Sequence, residues 1–180
     1  MNNIKEMKLY SDAYRIFKDL KALGYSEDDK LNLEDVNQFD QLHYHGTLSV
    51  QEAIDSINIQ ENDNVLEVGA GWGGPSRYIA YKTRANVSAL ELQQDYSEVG
   101  KELTLKTGLE SFVTHINEDF LNYSQKDTCF DKIVSWLALY HIPYRKKYTE
   151  KLFNLLNKKG MLFIELSLIH ISEPTRPDYI

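Results

Sequence analysis

A single cysteine, Cys129, is present among 180 residues. No internal disulfide can form, and the usage suits a reducing, cytoplasmic setting in which Cys129 is a plain thiol and not a nucleophile. Long apolar runs are also missing. No stretch has the length and apolarity of a membrane span, and residues 1–20 lack the apolar centre of a signal peptide. Basic residues are in the minority, with 20 Lys and Arg against 27 Asp and Glu, a net charge of −7. That balance disfavours a nucleic-acid or anionic-membrane partner. The sequence contains no internal repeat and no low-complexity segment. Its length suits one domain with a core large enough to be stable alone.

The chain changes texture along its length. "SDAYRIFKDLKAL" places Ala13, Ile16, Phe17, Leu20 and Leu23 on one helical face, with Gly24 as the stop. "GYSEDDKLNLEDVNQ" reads as a polar loop, and "SVQEAIDSI" as a second amphipathic helix with Ser49 as N-cap and Glu52 completing a capping box. Short apolar runs then alternate with helical patterns. The runs are 65–68, 87–90, 112–116, 132–136 and 161–166; the helical patterns are 75–82, 96–107 and 145–156. Such alternation predicts βαβ units and an α/β fold with a mostly parallel, Rossmann-like sheet.

The stretch "VLEVGAGWGGPSRYIA", residues 65–80, carries Gly69, Gly71 and Gly74 at G-x-G-x-x-G spacing, between a predicted strand and a predicted helix. Glycines there let backbone approach a ligand, and Pro75 suits the first helical turn, where its missing N–H costs nothing. In an open parallel sheet, ligands collect at the carboxyl ends of the strands. The bare spacing is shared with dinucleotide enzymes. Glu67 separates the two readings, because a carboxylate at the mouth of the loop repels a pyrophosphate and suits a cationic amino group. Glu91, ending the second run, can accept both ribose hydroxyls. Asp119, after the third, can accept from an adenine amino group or a nearby backbone N–H. Three acids at successive strand ends, with no lysine or arginine in the loop, point to a cationic, phosphate-free cofactor. S-adenosylmethionine fits that description and NAD does not.

The segments "VLEVGAGWGG", "VSALEL", "NEDF", "FDKIVSWLALYHI" and "NKKGMLFIEL" resemble, in order and approximate spacing, the motifs of class I S-adenosylmethionine-dependent methyltransferases. The resemblance spans about residues 60–166. It implies that Gly69, Ala70 and Gly71 line the methionine part of the cofactor and that Glu67 orients its amino group. Glu91, with Leu92 beside it, holds the ribose; Asp119 and Phe120 hold the adenine; Trp136 closes the site. "FDQLHYHGT", with "GGPSRYIA", "ALELQQD" and "SWLALYHIP", is similar to small-molecule N-methyltransferases acting on sarcosine and dimethylglycine and, more distantly, to phosphoethanolamine methyltransferases. By that likeness Tyr44 and Gly46 contact the cofactor, and His43 or His45 faces the transfer site. His141 falls where the phosphoethanolamine group places an active-site histidine.

The implied reaction is in-line attack of an amine nitrogen on a sulfonium methyl, in which positioning and desolvation matter most. A histidine with an ordinary pKa near 6.5 can assist loss of a proton. His141 is the candidate for that role; the plainer reading is a histidine packed near a helix start. The H-x-H pair at 43 and 45 has no further histidine or cysteine close in sequence, so no metal site is expected. A substrate carboxylate calls for an arginine. Arg145 is better placed than Arg77, although a solvated arginine at a helix start explains it equally. The implied acceptor is a small-molecule amine. Sterol- and tocopherol-type C-methyltransferases have related loops and are the enzyme alternative. A dinucleotide oxidoreductase and a non-catalytic cofactor- or partner-binding module are the others.

The predicted organisation is an N-terminal helical lid over 1–46, a cofactor-binding α/β core over 47–165, and a tail over 166–180. The tail, "LSLIHISEPTRPDYI", resembles a translated transposase adaptor of DNA library preparation over residues 166–176. It is expected to be non-native, and His170 is not expected to be functional. Without Glu173, Asp178 and Arg176 the formal charge would move from −7 to −6. The resembling family's sheet has seven strands. A chain that is authentic only to about residue 165 is therefore expected to be truncated after the fifth, leaving an exposed edge and a domain of low or no turnover.

Overall fold

Val65, Leu66 and Val68 form a run with no polar alternation except Glu67, the pattern of a strand covered on both faces. In the computed structural model, which describes residues 11–124 and 129–167, this run is the central part of β1 (Asn64–Val68), and all three apolar side chains are buried. Burial of each contributes roughly 1.5–3 kcal/mol relative to exposure. β1 is flanked by β2 (Asn86–Glu91) and β4 (Phe130–Trp136), with β3 (Val113–Asn117) and β5 (Leu156–Glu165) outside them. The order is β3-β2-β1-β4-β5 and every pairing is parallel. The fold is the α/β, Rossmann-like sheet expected, with its order reversing between β1 and β4.

Helices cover both faces. Val65, Val87, Ala89, Val113, Val134 and Trp136 join Val50 and Ala53 of α3 (Thr47–Ser56) and Ile79 and Ala80 of α4 (Gly74–Thr83) in one cluster. Leu66, Val68, Leu90 and Ile133 turn the other way and meet Leu152 and Leu155 of α6 (Arg145–Leu155). The alternation follows from the period of two along a strand. α5 (Gln94–Lys106) buries Tyr96, Val99 and Leu103, spaced three and four apart, against Ile16 and Leu20 of α1 (Arg15–Ala22) and against Trp72. The described N-terminal residues are thus packed onto the sheet domain. Trp72 Nε1 donates to the Ala13 carbonyl at 2.9 Å.

Several local expectations are corrected. α3 begins at Thr47 with Gly46 as its N-cap, and Ser49 lies inside the helix. Gly46 takes φ 52°, ψ −140°, a conformation costly for a side-chain-bearing residue, so the chain turns into the helix before reaching the serine. Leu23 caps α1 and is 47% exposed instead of joining its buried face. The polar loop contains a short helix, α2 (Leu33–Val36), started by Asn32, whose side chain accepts from Glu34 N at 2.9 Å. β5 starts immediately after α6, five residues earlier than its apolar run. Among the described residues β5 has β4 alone as neighbour, and Met161 and Ile164 are each more than one-third exposed. Of the tail, Leu166 and Ser167 are described; residues 168–180, including His170, lie outside the described residues, as do 1–10 of the expected lid.

Candidate functional site

The reversal of strand order opens a crevice beyond the carboxyl ends of β1 and β4, and a cavity lies there. Its floor is the turn after β1. Gly69 and Gly71 have φ 76° and 54°, in the left-handed region. A Cβ on Gly69 would stand 2.2 Å from the Ala138 Cβ, so the turn and the segment after β4 touch only because the side chain is missing. Pro75 occupies the first turn of α4, as its missing N–H allows.

Carboxylates at the strand ends surround this floor. Glu67 on β1 is 2% exposed and accepts a hydrogen bond from the Ser76 hydroxyl of α4. Burial pushes its pKa up to about 8, against the smaller opposing pull of Ser76 and Arg77. Glu91, ending β2, accepts from Gly71 N and from Gln93 N, both at 2.8 Å. Its burial raises the pKa, and the two backbone N–H groups work the other way. Asp119, after β3, accepts from Leu121 N at 2.9 Å, which fixes the carboxylate at the start of a turn. Glu67, Glu91 and Asp119 all line the cavity, together with Gly69, Ala70, Gly71, Leu92 and Phe120. No lysine or arginine is among its described lining residues.

The opposite wall is aromatic. Trp136, at the end of β4, is 5% exposed and its Nε1 donates to Ser49 Oγ at 3.0 Å. Its ring lies 5.5 Å from that of His43 and 5.6 Å from that of Phe163. His43 also lines the cavity; its ring nitrogens lie 3.0 Å from the Tyr44 carbonyl and 3.0 Å from Gln41 Oε1. Burial lowers its pKa, opposed by the Tyr44 carbonyl and by the charges of Glu165 and Asp40. His141 reaches the cavity from a 3-10 turn, Leu139–His141, with its ring against Tyr140.

The remaining predicted residues lie elsewhere. Tyr44 and His45 are exposed, Gly46 caps α3, and none of the three lines the cavity. Arg145 is exposed as the first residue of α6, also outside the lining. Arg77 is not available to a substrate at all. It is fully buried, paired with the equally buried Asp40 at 2.9 Å, and donates to Trp72 O, Gly100 O and Thr104 Oγ1. The guanidinium therefore ties the chain before α3 to the helix after the glycine turn. Among the described residues, no group of three His, Cys, Asp or Glu side chains could hold a metal ion, and no helix is long and apolar enough to cross a membrane.

Sequence reasoning missed Asp40, Gln93, Glu118 and Leu137, all of which line the cavity. Leu137 had no sequence signal. It sits at φ 52°, a conformation unusual for a bulky residue, between β4 and the 3-10 turn. Ser49 was visible only as a cap candidate, whereas its hydroxyl links Trp136 to Glu165 at the end of β5.

The profile of the mycolic acid cyclopropane synthetase family matches residues 37–176. The glycine/sarcosine/dimethylglycine N-methyltransferase of Actinopolyspora halophila is 28% identical over 112 residues, 62% of this chain and 20% of that protein. The sterol 24-C-methyltransferase of Eremothecium gossypii is 32% identical over 123 residues, 67% of this chain and 33% of that protein. Among solved structures, phosphoethanolamine N-methyltransferase 2 of Haemonchus contortus with S-adenosyl-L-methionine superposes with a TM-score of 0.72 at 18% identity, covering 91% of this chain and 35% of that one. At that identity the likeness is one of fold. The chain spans less than half the length of each of these three proteins. A match across most of the sequence, on a fold shared with a solved methyltransferase, settles the family: the chain belongs to the mycolic acid cyclopropane synthetase family.

Proposed function

We propose that this chain is the cofactor-binding domain of an S-adenosylmethionine-dependent methyltransferase whose acceptor is a small amine. One observation carries the reading. Glu67, Glu91 and Asp119 converge from three strands on a glycine turn, in a cavity with no lysine or arginine among its described lining residues. A phosphate-bearing cofactor would find carboxyl groups and no basic side chain to neutralise it, whereas a cationic amino group beside Glu67 favours the ionised carboxylate that complements it. The names of the relatives, which include amine N-methyltransferases, support the same class.

S-adenosylmethionine, when bound, supplies a methyl group on an electrophilic sulfonium. The residues divide the remaining work. Glu67 takes the amino group of the methionine part, beside the backbone of Gly69, Ala70 and Gly71. Glu91 takes the ribose hydroxyls, its orientation already set by Gly71 N and Gln93 N. Asp119 and Phe120 bound the adenine. Trp136 and His43 form the opposite wall, which excludes water from the acceptor side. His141, at the cavity edge, is the candidate to accept a proton from an acceptor amine. Tyr44, Gly46 and His45 belong to the segment between the Asp40 ion pair and α3, and they reach the site only if that segment closes further. Arg145 reaches it only by extending from the start of α6.

A second reading, C-methylation of a sterol-like acceptor, is favoured by the sterol 24-C-methyltransferase relative. Isothermal titration of the chain with S-adenosylhomocysteine tests the cofactor assignment common to both. Binding weakened about tenfold or more by Glu91→Ala is expected. A folded chain that takes up NADH, or that ignores S-adenosylhomocysteine, would sink it.

A further inference from the structure

The inner face of α6 carries a lysine where its packing pattern calls for an apolar residue. Tyr148, Leu152 and Leu155 follow one another at helical spacing, and they pack in one cluster with Phe120, Leu121 and Tyr123 from the turn after β3. Lys151 belongs to the same stripe. Burial pulls its pKa below the ordinary lysine value, with the Lys147 charge acting the same way, while Glu118 and Asp119 oppose the shift. An apolar side chain would fill the position without that cost. The lysine is explained by what its ammonium touches.

Nζ donates to the Leu121 carbonyl at 3.0 Å and lies 5.6 Å from the centre of the Phe120 ring, within the range of a cation–π contact. The N–H of Leu121 is already taken by Asp119 Oδ1 at 2.9 Å. Leu121 is therefore pinned through both of its backbone polar groups, by Asp119 on one side and by Lys151 on the other. The turn itself is closed by Asn122 N and Tyr123 N, which both donate to the Asp119 carbonyl at 2.9 Å. Lys151 ties this closed turn to α6. Glu118, Asp119 and Phe120, at the head of the turn, all line the cavity, and Lys151 is not itself among the described lining residues. α6 in turn follows directly on residues 141–143, which line the cavity as well, so the lysine ties two stretches of the lining together.

We propose that Lys151 is a positioning residue for the adenine end of the cofactor: it clamps the turn after β3 to α6 and so holds Asp119 and Phe120 in the places where they line the cavity. The inference rests on the methyltransferase reading and deepens it. The ammonium acts through the Leu121 carbonyl and the buried face of the Phe120 ring, and its charge offsets the two adjacent acids, Glu118 and Asp119, that would otherwise repel each other at the cavity rim.

The test separates the two ends of the cofactor. 5′-Methylthioadenosine carries the adenine, the ribose and the thioether, and it lacks the amino and carboxyl groups of S-adenosylhomocysteine. Both ligands are titrated into the unaltered chain, Lys151→Met and Lys151→Arg. Lys151→Met keeps an unbranched stem and removes the charge and the donor. It should weaken both ligands by the same factor, about tenfold, the range of one charge-assisted hydrogen bond. Lys151→Arg restores a cation and a donor, and should return both affinities to within about threefold of the unaltered chain. Undiminished binding by Lys151→Met, a loss for S-adenosylhomocysteine that spares 5′-methylthioadenosine, or no recovery in Lys151→Arg overturns the assignment. In the unaltered chain the NMR resonance of Lys151 Nζ should shift on saturation with 5′-methylthioadenosine. An unmoved signal also overturns the assignment, and that measurement stands even if Lys151→Met folds poorly. Failure of the unaltered chain to bind either ligand is a separate result, which removes the methyltransferase reading and this inference with it.

Discussion

Glu67 should make cofactor binding release a proton. The carboxyl is fully enclosed, with the Ser76 hydroxyl as its hydrogen-bond donor, and burial holds its pKa at about 8. At pH 7 a group of that pKa is roughly nine-tenths protonated, so in the free chain Glu67 is mostly neutral. A cationic amino group placed beside it favours the ionised form. Binding at pH 7 should then expel about 0.9 proton, and affinity should rise about ninefold from pH 6 to 7, about fivefold from pH 7 to 8, and level off above. Calorimetric titration with S-adenosylhomocysteine at pH 7, in two buffers of different ionisation enthalpy, gives the proton count from the slope of observed heat against buffer heat. Glu67→Gln should bring the slope close to zero. A normal affinity with no buffer dependence, or a slope unchanged by Glu67→Gln, refutes the reasoning. The same shift acts on the free chain. A folded-state pKa above the ordinary carboxylate value of 4.5 contributes stability that is present below pH 4.5 and lost as pH rises through about 8. Saturating ligand should flatten that loss, because it stabilises the ionised form.

Arg77→Met should cost about 3–5 kcal/mol in urea unfolding, since it leaves Asp40 charged, buried and without its counter-ion; a loss below 1 kcal/mol would show that the pair is not holding the segment before α3. Gly69→Ala should abolish or severely weaken S-adenosylhomocysteine binding, because the new Cβ would meet Ala138 Cβ at 2.2 Å and the backbone has φ 76°. Unchanged affinity by titration calorimetry would mean the turn is not the cofactor floor. His115, half-buried behind α5 with Thr104 Oγ1 at 2.8 Å from its Nε2, has a pKa pushed down to about 3 by desolvation and by the nearby Arg77 and Lys101 charges. Its ring NMR shifts should stay constant from pH 8 to 5, and a titration near the ordinary histidine value would show that the region is solvated.

What could be read from the sequence and what could not divide along physical lines. A parallel strand covered on both faces must be apolar along its length, so runs such as 65–68 and 87–90 announce their state locally. Glu67 and Glu91 were legible as site residues because a charged residue in or ending such a run has a narrow choice of explanation. Parallel pairing also brings all strand ends to one rim, so acids some 25 residues apart in sequence converge without any knowledge of packing. The residues that escaped are those whose partners are set by packing alone. Asp40 meets Arg77 from 37 residues away, Trp136 meets Ser49 from 87, and Ser49 meets Glu165 from 116. A serine three residues ahead of a glutamate is a sound local signal for a cap. It fails here because Gly46 turns the chain earlier and the hydroxyl is claimed by the far edge of the sheet.

That edge gives the arrangement its functional sense. The acids on β1, β2 and β3 stand on one side of the reversal in strand order, where backbone N–H groups from the glycine turn and from the start of α5 hold Glu91. On the other side, Glu165 is held by a side-chain hydroxyl from α3, a helix that begins directly after the His43–Gly46 segment. Displacing that segment shifts the start of α3 and with it Ser49, so the geometry of the acceptor end is tied to the chain that runs over the cavity. The cofactor end is tied differently: Glu67 and Glu91 contact residues of β1, β2, α4 and the turns beside them, and the Arg77–Asp40 pair anchors α4 to the chain at residue 40, ahead of the 43–46 segment. Loosening the 43–46 segment should therefore disturb selection of the acceptor more than affinity for the cofactor. Gly46→Ala, strained at φ 52°, is the substitution that separates the two: affinity of the S-adenosylhomocysteine-saturated chain for a small amine such as N,N-dimethylethanolamine should fall while S-adenosylhomocysteine affinity holds. An equal loss of both would place the 43–46 segment on the cofactor instead.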